Sequence, residues 1–367
     1  MSTATATQTA SASARRSADS GLLGGAMQLV ERGLVPDALV RAAIRQICAA
    51  RLREESRGGE AAMERRIRAF LAARRAGPVA LETGAANEQH YEVPTDLYLQ
   101  MLGPRLKYSS AWWPEGVVTL AAAEEAMLER TCAMAQIEDG QTILDLGCGW
   151  GSLSRWLCER YPKAHVVAVS NSRTQREYLR EQAKRRGFAN FEVHTIDANV
   201  LEPAQLARFD RVMSIEMFEH LWNHELLLER VERALTPGGK VFLHVFSHAR
   251  FAYPFEDKGS SDWMARHFFT GGTMPSDDWF ERAPGPFRVE EHARIDGTHY
   301  ERTANAWLSN LDRNAALARP ILARTYGEAE AGRWHQRWRV FYMACAEMFG
   351  FDEGKEWLVT HVRLSRP

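Results

Sequence analysis

Residues Thr142–Ser154 read "TILDLGCGWGSLS". Five strand-forming positions end in an acid, Asp145, and Leu146. Three alternating glycines follow, Gly147, Gly149 and Gly151, and then a helix-forming run. A strand that turns through glycines into a helix is the opening unit of a doubly wound α/β fold, and it presents free backbone N–H groups at the helix start. Further short β-rich runs follow: "HVVAVS" (His165–Ser170), "FEVHTI" (Phe191–Ile196), "RVMSI" (Arg211–Ile215) and "KVFLHVF" (Lys240–Phe246). Helical stretches lie between them: "SLSRWLCERY", "RTQREYLREQAKRRG" and "NHELLLERVERAL". Strand and helix alternate, which predicts an α/β domain with a mainly parallel sheet. "LTPGGK" (Leu235–Lys240) predicts a tight turn before the fifth run.

Outward from this core, Leu22 to Ala76 shows a helical, arginine-rich pattern broken at "SRGG" (Ser56–Gly59), with Pro36 and Asp37 suited to a helix start. Helices packed on a body explain it, and a basic amphipathic face on an anionic membrane is the alternative. Beyond Ala249 the regularity fades into aromatic, loop-like sequence, and helices resume from Thr303. The expected division is a disordered tail over 1–21, a helical cap over 22–85, and an α/β domain over 86–367 with a substrate-binding cap at about 249–350.

The 367 residues carry a net charge of -1, so nothing global points to a nucleic-acid partner. No apolar run approaches the ~20 residues of a membrane span. Five scattered cysteines without a CxxC pair suit a reducing compartment. A cytoplasmic location is expected. The Ser/Thr/Ala-rich start is also compatible with an organelle transit peptide.

The glycine spacing is G-x-G-x-G, not the G-x-G-x-x-G of dinucleotide binders. After the second strand stand Ser170 and Asn171, where a dinucleotide ribose would want an acid. An acid ahead of the glycines suits a ligand bearing an ammonium or sulfonium group, and S-adenosylmethionine bears both.

"LDLGCGWGS" followed by "AVSNSRTQ" resembles the S-adenosylmethionine-binding core of the cyclopropane fatty acid synthase superfamily. "EQHYEVPTDLY", "LKYSSAWWP", "SIEMFEH", "HVFSHARFAYPFED" and "RWRVFYMACAEMFG" are similar to coclaurine-type N-methyltransferases, from about Met27 to Leu358. The resemblance implies a Rossmann-like class I methyltransferase with a helical N-terminal cap and C-terminal helical and loop insertions. It further implies that Tyr91, Tyr108 and Ser109 close over the methionine end of the cofactor and that Gly147 faces it. Asn171 and Gln175 would reach the ribose hydroxyls, and Asp197 the adenine amino group.

"SIEMFEHLWNHE" (Ser214–Glu225) carries Glu216, Glu219 and His220 where the fourth strand ends. Were the chain helical there, the three would share one face. They would then stand on the same rim as the glycine loop. The resemblance implies that this set surrounds an amine. A carboxylate attracts an ammonium, and an imidazole can take its proton. Trp112, Trp113, Phe251, Tyr253, Phe255 and Trp263 are candidates to hold a cation or an aromatic acceptor. The histidine pairs His220/His224 and His244/His248 lack the HExxH form, and no metal is expected.

Three readings follow. The first is S-adenosylmethionine-dependent N-methylation of a small amine. The second is methyl or methylene transfer to an unsaturated acyl lipid. Enzymes of that sort carry "YSC" where this chain has Ser110, a cysteine that helps hold bicarbonate. The third is a non-catalytic binding module, against which the intact glycine loop and the Glu/Glu/His set both argue. The expected partners are the small-molecule acceptor and a second copy of the chain in a homodimer.

Overall fold

The computed structural model describes residues 22–81, 93–255, 263–269 and 271–367. The tail over 1–21 and Tyr91 lie outside the described residues. Helices α1 (Leu22–Glu31), α2 (Asp37–Glu55) and α3 (Gly59–Arg75) come first. Ser56 ends α2, and Gly58, at φ 80°, starts α3. The short α4 (Thr95–Met101) and α5 (Leu120–Ala135) lead into the α/β core. That core runs β1 (Thr142–Leu146), α6 (Ser152–Arg160), β2 (His165–Ser170), α7 (Arg173–Arg186), β3 (Phe191–Thr195), β4 (Phe209–Ile215), α8 (His224–Ala234) and β5 (Leu235–His248).

Two further strands, β6 (Arg288–Ile295) and β7 (Trp357–Ser365), bracket α9 (Thr298–Arg313), α10 (Ala315–Tyr326) and α11 (Glu328–Phe349). The sheet order is β3-β2-β1-β4-β5-β7-β6. β1 to β5 are parallel, while β7 runs antiparallel to both β5 and β6. β6 and β7 were not legible in the sequence. The expected tight turn at Leu235–Lys240 is instead an irregular start to β5. Leu235 pairs with Phe209, Lys240 pairs with Arg211, and Gly238 takes φ +77° between them.

Side chains alternate across each strand. Ile143, Val166, Met213 and Phe242 pack toward α5 and α6. Leu144, Val167, Val212 and Val241 pack on the opposite face with α3 and α8. A third apolar cluster joins α2, α4 and α9–α11 to Trp150 and Phe246 at the carboxyl ends of the strands. Burial on both faces explains the uninterrupted apolar runs. The N-terminal helices dock on α11 through Glu31–Arg337, Asp37–Arg339 and Arg41–Glu347 ion pairs at 3.0, 2.6 and 2.8 Å. Among the described residues, no helix is long and apolar enough to cross a membrane.

Candidate active site

The order β2-β1-β4 puts a topological switch between β1 and β4, where open α/β sheets bind ligands. A cleft with a cavity volume of about 140 Å³, open to solvent, lies there. Its floor is the glycine loop. Gly147, Gly149 and Gly151 take φ +80°, +52° and +72°, and the Gly147 and Cys148 amides bond to Val169 O. A Cβ on Gly147 would come 2.7 Å from Met217 Cγ, and one on Gly151 would come 2.2 Å from Leu179 Cδ2. A Cβ on Gly149 would meet nothing within 4 Å, and Gly149 lines the cleft. Glycine at 147 and 151 therefore lets the protein pack on itself, and glycine at 149 keeps the cleft open.

Asp145 is buried at the end of β1 and accepts a hydrogen bond from Ser154 Oγ. Burial raises its pKa to about 6, against the pull of Ser154. Tyr108 Oη, Thr131 Oγ1 and Ser152 Oγ are buried on the cleft wall without a hydrogen-bond partner among the described residues. Buried polar atoms rarely stay unmatched. Three such groups, a carboxyl, and the start of α6 fit a zwitterionic ligand end such as the methionine portion of S-adenosylmethionine. Gln175 also lines the cleft, and its Oε1 accepts from Ser170 Oγ at 2.6 Å. Asn171 and Asp197 are half-buried just past β2 and β3, further along the same rim but off the cleft wall. Asp197 Oδ1 accepts from Asn199 N at 2.7 Å.

The expectation of one helical face for Glu216, Glu219 and His220 is corrected. Glu216 takes φ +48°, a 3-10 turn spans Phe218–His220, and the α-helix begins only at His224. Glu216 and His220 line the cleft. Glu219 turns the other way, 1% exposed, onto a small cavity shared with Arg74 and Phe280. Its Oε1 accepts from Phe246 N at 2.7 Å. Burial and the Glu216 charge push its pKa well above the usual carboxylate range.

Glu216 is held on several sides. Its Oε1 accepts from Ser110 N at 2.9 Å and contacts His244 Nε2 at 3.1 Å, and Tyr300 Oη donates to Oε2 at 2.6 Å. Burial raises its pKa, while Lys107, Tyr300 and Ser110 pull it down. Lys107 is itself buried, with Nζ on Ser109 Oγ and 2.7 Å from Ser110 O, and burial lowers its pKa to about 8. His220 stacks on Phe269 at 4.9 Å between ring centroids. Burial lowers its pKa to about 4 despite Glu216, so its imidazole is neutral at pH 7.

Of the aromatic candidates, Phe255 lines the cleft. Trp113, Phe251, Tyr253 and Trp263 are buried elsewhere, and Trp112 lies under the Arg130 guanidinium. Phe246, Phe269, Phe341 and Phe349 form the apolar wall instead. Sequence reasoning missed these, with Lys107 and Tyr300. Lys107 adjoined a motif already singled out, "LKYSS". Phe341 and Phe349 lie in "RWRVFYMACAEMFG", quoted for the resemblance but given no role, and Tyr300, from a distant helix, gave no local signal. In the two histidine pairs, His224 Nε2 bonds Ala283 O, and His248 Nδ1 accepts from the Arg250 and Phe251 amides.

The mycolic acid cyclopropane synthetase family matches residues 81–355. (S)-Coclaurine N-methyltransferase of Thalictrum flavum subsp. glaucum is 34% identical over 343 residues, 92% of this chain and 94% of that protein. Cyclopropane-fatty-acyl-phospholipid synthase of Escherichia coli (strain K12) is 28% identical over 278 residues, 75% of this chain and 67% of that protein. A crystal structure of coclaurine N-methyltransferase bound to N-methylheliamine and S-adenosylhomocysteine matches with a TM-score of 0.90 and 34% identity, covering 94% of this chain and 100% of that one. With the glycine loop and cleft at the switch point, these matches make the chain a member of the mycolic acid cyclopropane synthetase family of S-adenosylmethionine-dependent methyltransferases, related over nearly its whole length to coclaurine N-methyltransferase.

Proposed function

We propose that the protein methylates the nitrogen of a small, largely apolar amine. The observation that carries this reading is the pairing of a hydrogen-bonded carboxylate, Glu216, with a neutral imidazole, His220, in an aromatic-walled cleft. S-adenosylmethionine, when bound, supplies an electrophilic sulfonium methyl group. The protein must then deliver a nitrogen lone pair. An amine is mostly ammonium at neutral pH. The Glu216 carboxylate attracts that ammonium, and His220 accepts its proton. Phe246, Phe269 and Phe349 exclude water and hold the carbon skeleton, and orienting the amine supplies much of the remaining acceleration. Glu219, off the cleft, acts as a positioning residue: it holds the Phe246 amide and with it the strand end under the acceptor. Asp145, Gln175, Tyr108, Ser109 and the glycine loop are the cofactor-binding set, with Asn171 and Asp197 extending it along the rim.

The relatives of this chain include named N-methyltransferases of (S)-coclaurine and pavine, which favours an amine over an acyl-chain acceptor. The test is methyl transfer from labelled S-adenosylmethionine to a panel of cyclic secondary amines and, in parallel, to phospholipid vesicles with unsaturated chains. Label in the amine product is expected. Label only in lipid would overturn the proposal. A homodimer and a cytoplasmic location belong to the same proposal, tested by light scattering and by fractionation of the source cells.

A further inference from the structure

Behind Glu216 stand two histidines that the proposed chemistry does not use. β5 and β7 pair antiparallel with His244 opposite His361. Both are 0% exposed. His244 Nε2 lies 3.1 Å from Glu216 Oε1, and His244 Nδ1 lies 2.9 Å from His361 Nε2. His361 Nδ1 is buried with no hydrogen-bond partner among the described residues. The ring of Phe242 meets His361 at 5.0 Å, edge-on.

Proton bookkeeping along this chain has one solution for an ionised Glu216. A carboxylate only accepts, so the proton of that bond belongs to His244 Nε2. A neutral imidazole carries one N–H, so His244 Nδ1 is a bare acceptor. His361 Nε2–H must then donate to it. The chain ends at His361 Nδ1 as a lone pair. That end is the atom without a partner, and a buried acceptor goes unmatched more readily than a buried N–H. The reverse arrangement would need a protonated Glu216 and would strand an N–H at the dead end.

We infer that His361 is a positioning residue for methyl transfer: it fixes the tautomer of His244, so that Nε2–H points at the Glu216 carboxylate. This rests on the reading of Glu216 as the group that attracts the acceptor's ammonium. The physical benefit is a donor without a charge. A cationic donor at that spot would repel both an ammonium and a sulfonium. Burial holds both imidazoles neutral, and the nearby Lys107 charge disfavours a second proton on either. Without His361, the Nδ1–H tautomer of His244 becomes available, and its Nε2 lone pair would face the carboxylate.

The test replaces His361 by phenylalanine, which cannot donate, and by glutamine, whose amide N–H can stand where Nε2–H stood. With ¹⁵N-histidine labelling, His244 is assigned by the loss of its signal in His244→Gln, and its tautomer is read from ring ¹⁵N shifts. The parent and His361→Gln should show the Nε2–H form, and His361→Phe a mixture. The acidic limb of kcat/KM should rise by about one pH unit in His361→Phe, roughly tenfold lower activity on that limb, and return in His361→Gln. Groups whose own titration must be separated from that limb are Lys107, Tyr108, Glu219, His220, Tyr300, Cys345 and, behind His361, Arg130. Rescue by glutamine is what a packing role would not produce, since phenylalanine is the better apolar filler. An Nδ1–H tautomer in the parent, or a tautomer and pH limb untouched in His361→Phe, would overturn the inference. The tautomer measurement needs no acceptor. Failure of every amine to react overturns the proposed function, and a wrong tautomer overturns this inference.

Discussion

Alanine at Gly149 separates ligand from fold. The added Cβ would meet no protein atom within 4 Å, so packing is undisturbed. The residue sits at φ +52°, and a side chain there costs about 1–2 kcal/mol of stability. Glu216 and Gln136 already bear positive φ values of 48° and 56°, so the conformation is tolerated in this chain. The same Cβ projects into the cleft proposed to take the cofactor. An atom that forces the cofactor from its closest approach should weaken binding roughly 10²-fold, about 2.7 kcal/mol, and Gly149→Val should abolish it. Gly151→Ala is the contrast. Its Cβ would fall 2.2 Å from Leu179 Cδ2, so that variant loses about 1–3 kcal/mol of fold stability before any ligand is added. Calorimetric titration with S-adenosylmethionine and S-adenosylhomocysteine, beside thermal unfolding of each variant, is the assay. If folded Gly149→Ala binds within roughly threefold of the parent, the cofactor does not lie on this loop.

Other perturbations read other parts of the site. His220→Ala should lower turnover of an amine by roughly 10²–10⁴-fold, with cofactor affinity unchanged. That defect should shrink as pH rises toward the amine's own pKa, and a defect constant to high pH would remove His220 as the base. Glu216→Gln should raise KM as well as lower kcat, because the charge that attracts the ammonium is lost; a change in kcat alone would contradict this. His292 lies 3.0 Å from Asp277 and 2.9 Å from Glu281, whose hydrogen bonds raise its pKa to about 10. The raised folded pKa gives a stabilisation that is complete below the unfolded value near 6.5 and lost as pH climbs through about 10. Urea unfolding should show that decline, and His292→Gln should flatten it. Arg74 donates to Leu221 O and Thr273 Oγ1 from a box of Phe70, Trp222 and Trp279. Arg74→Met should destabilise by roughly 2–3 kcal/mol through the unmatched acceptors, and a loss under about 0.5 kcal/mol would show that the clamp is slack.

The sequence by itself determined the parallel core and its binding rim. β1 and β2 fall at Thr142–Leu146 and His165–Ser170 as expected, because strands buried on both faces write their apolar runs locally. Gly147, Gly149, Asp145 and Glu216 were legible as cleft-lining positions for a similar reason, whereas Gln175 came from the family resemblance and His220 from an expected helical face that is not there. Residues that end a strand and begin the next turn must stand on the rim where ligands bind. Tertiary structure decided the rest. β7 is recognisable as a strand only through its pairing with β5, more than a hundred residues earlier. Glu219 sits three residues from Glu216, and helical periodicity would have put them together. The positive φ at Glu216 and the 3-10 turn send Glu219 into the interior instead. The partners that set Glu216's charge and aim come from four other segments: Lys107 and Ser110, His244, Tyr300, and His361 behind His244. Sequence spacing reports direction only within an element whose geometry is known, so a constellation drawn from this many elements exists only once they have packed.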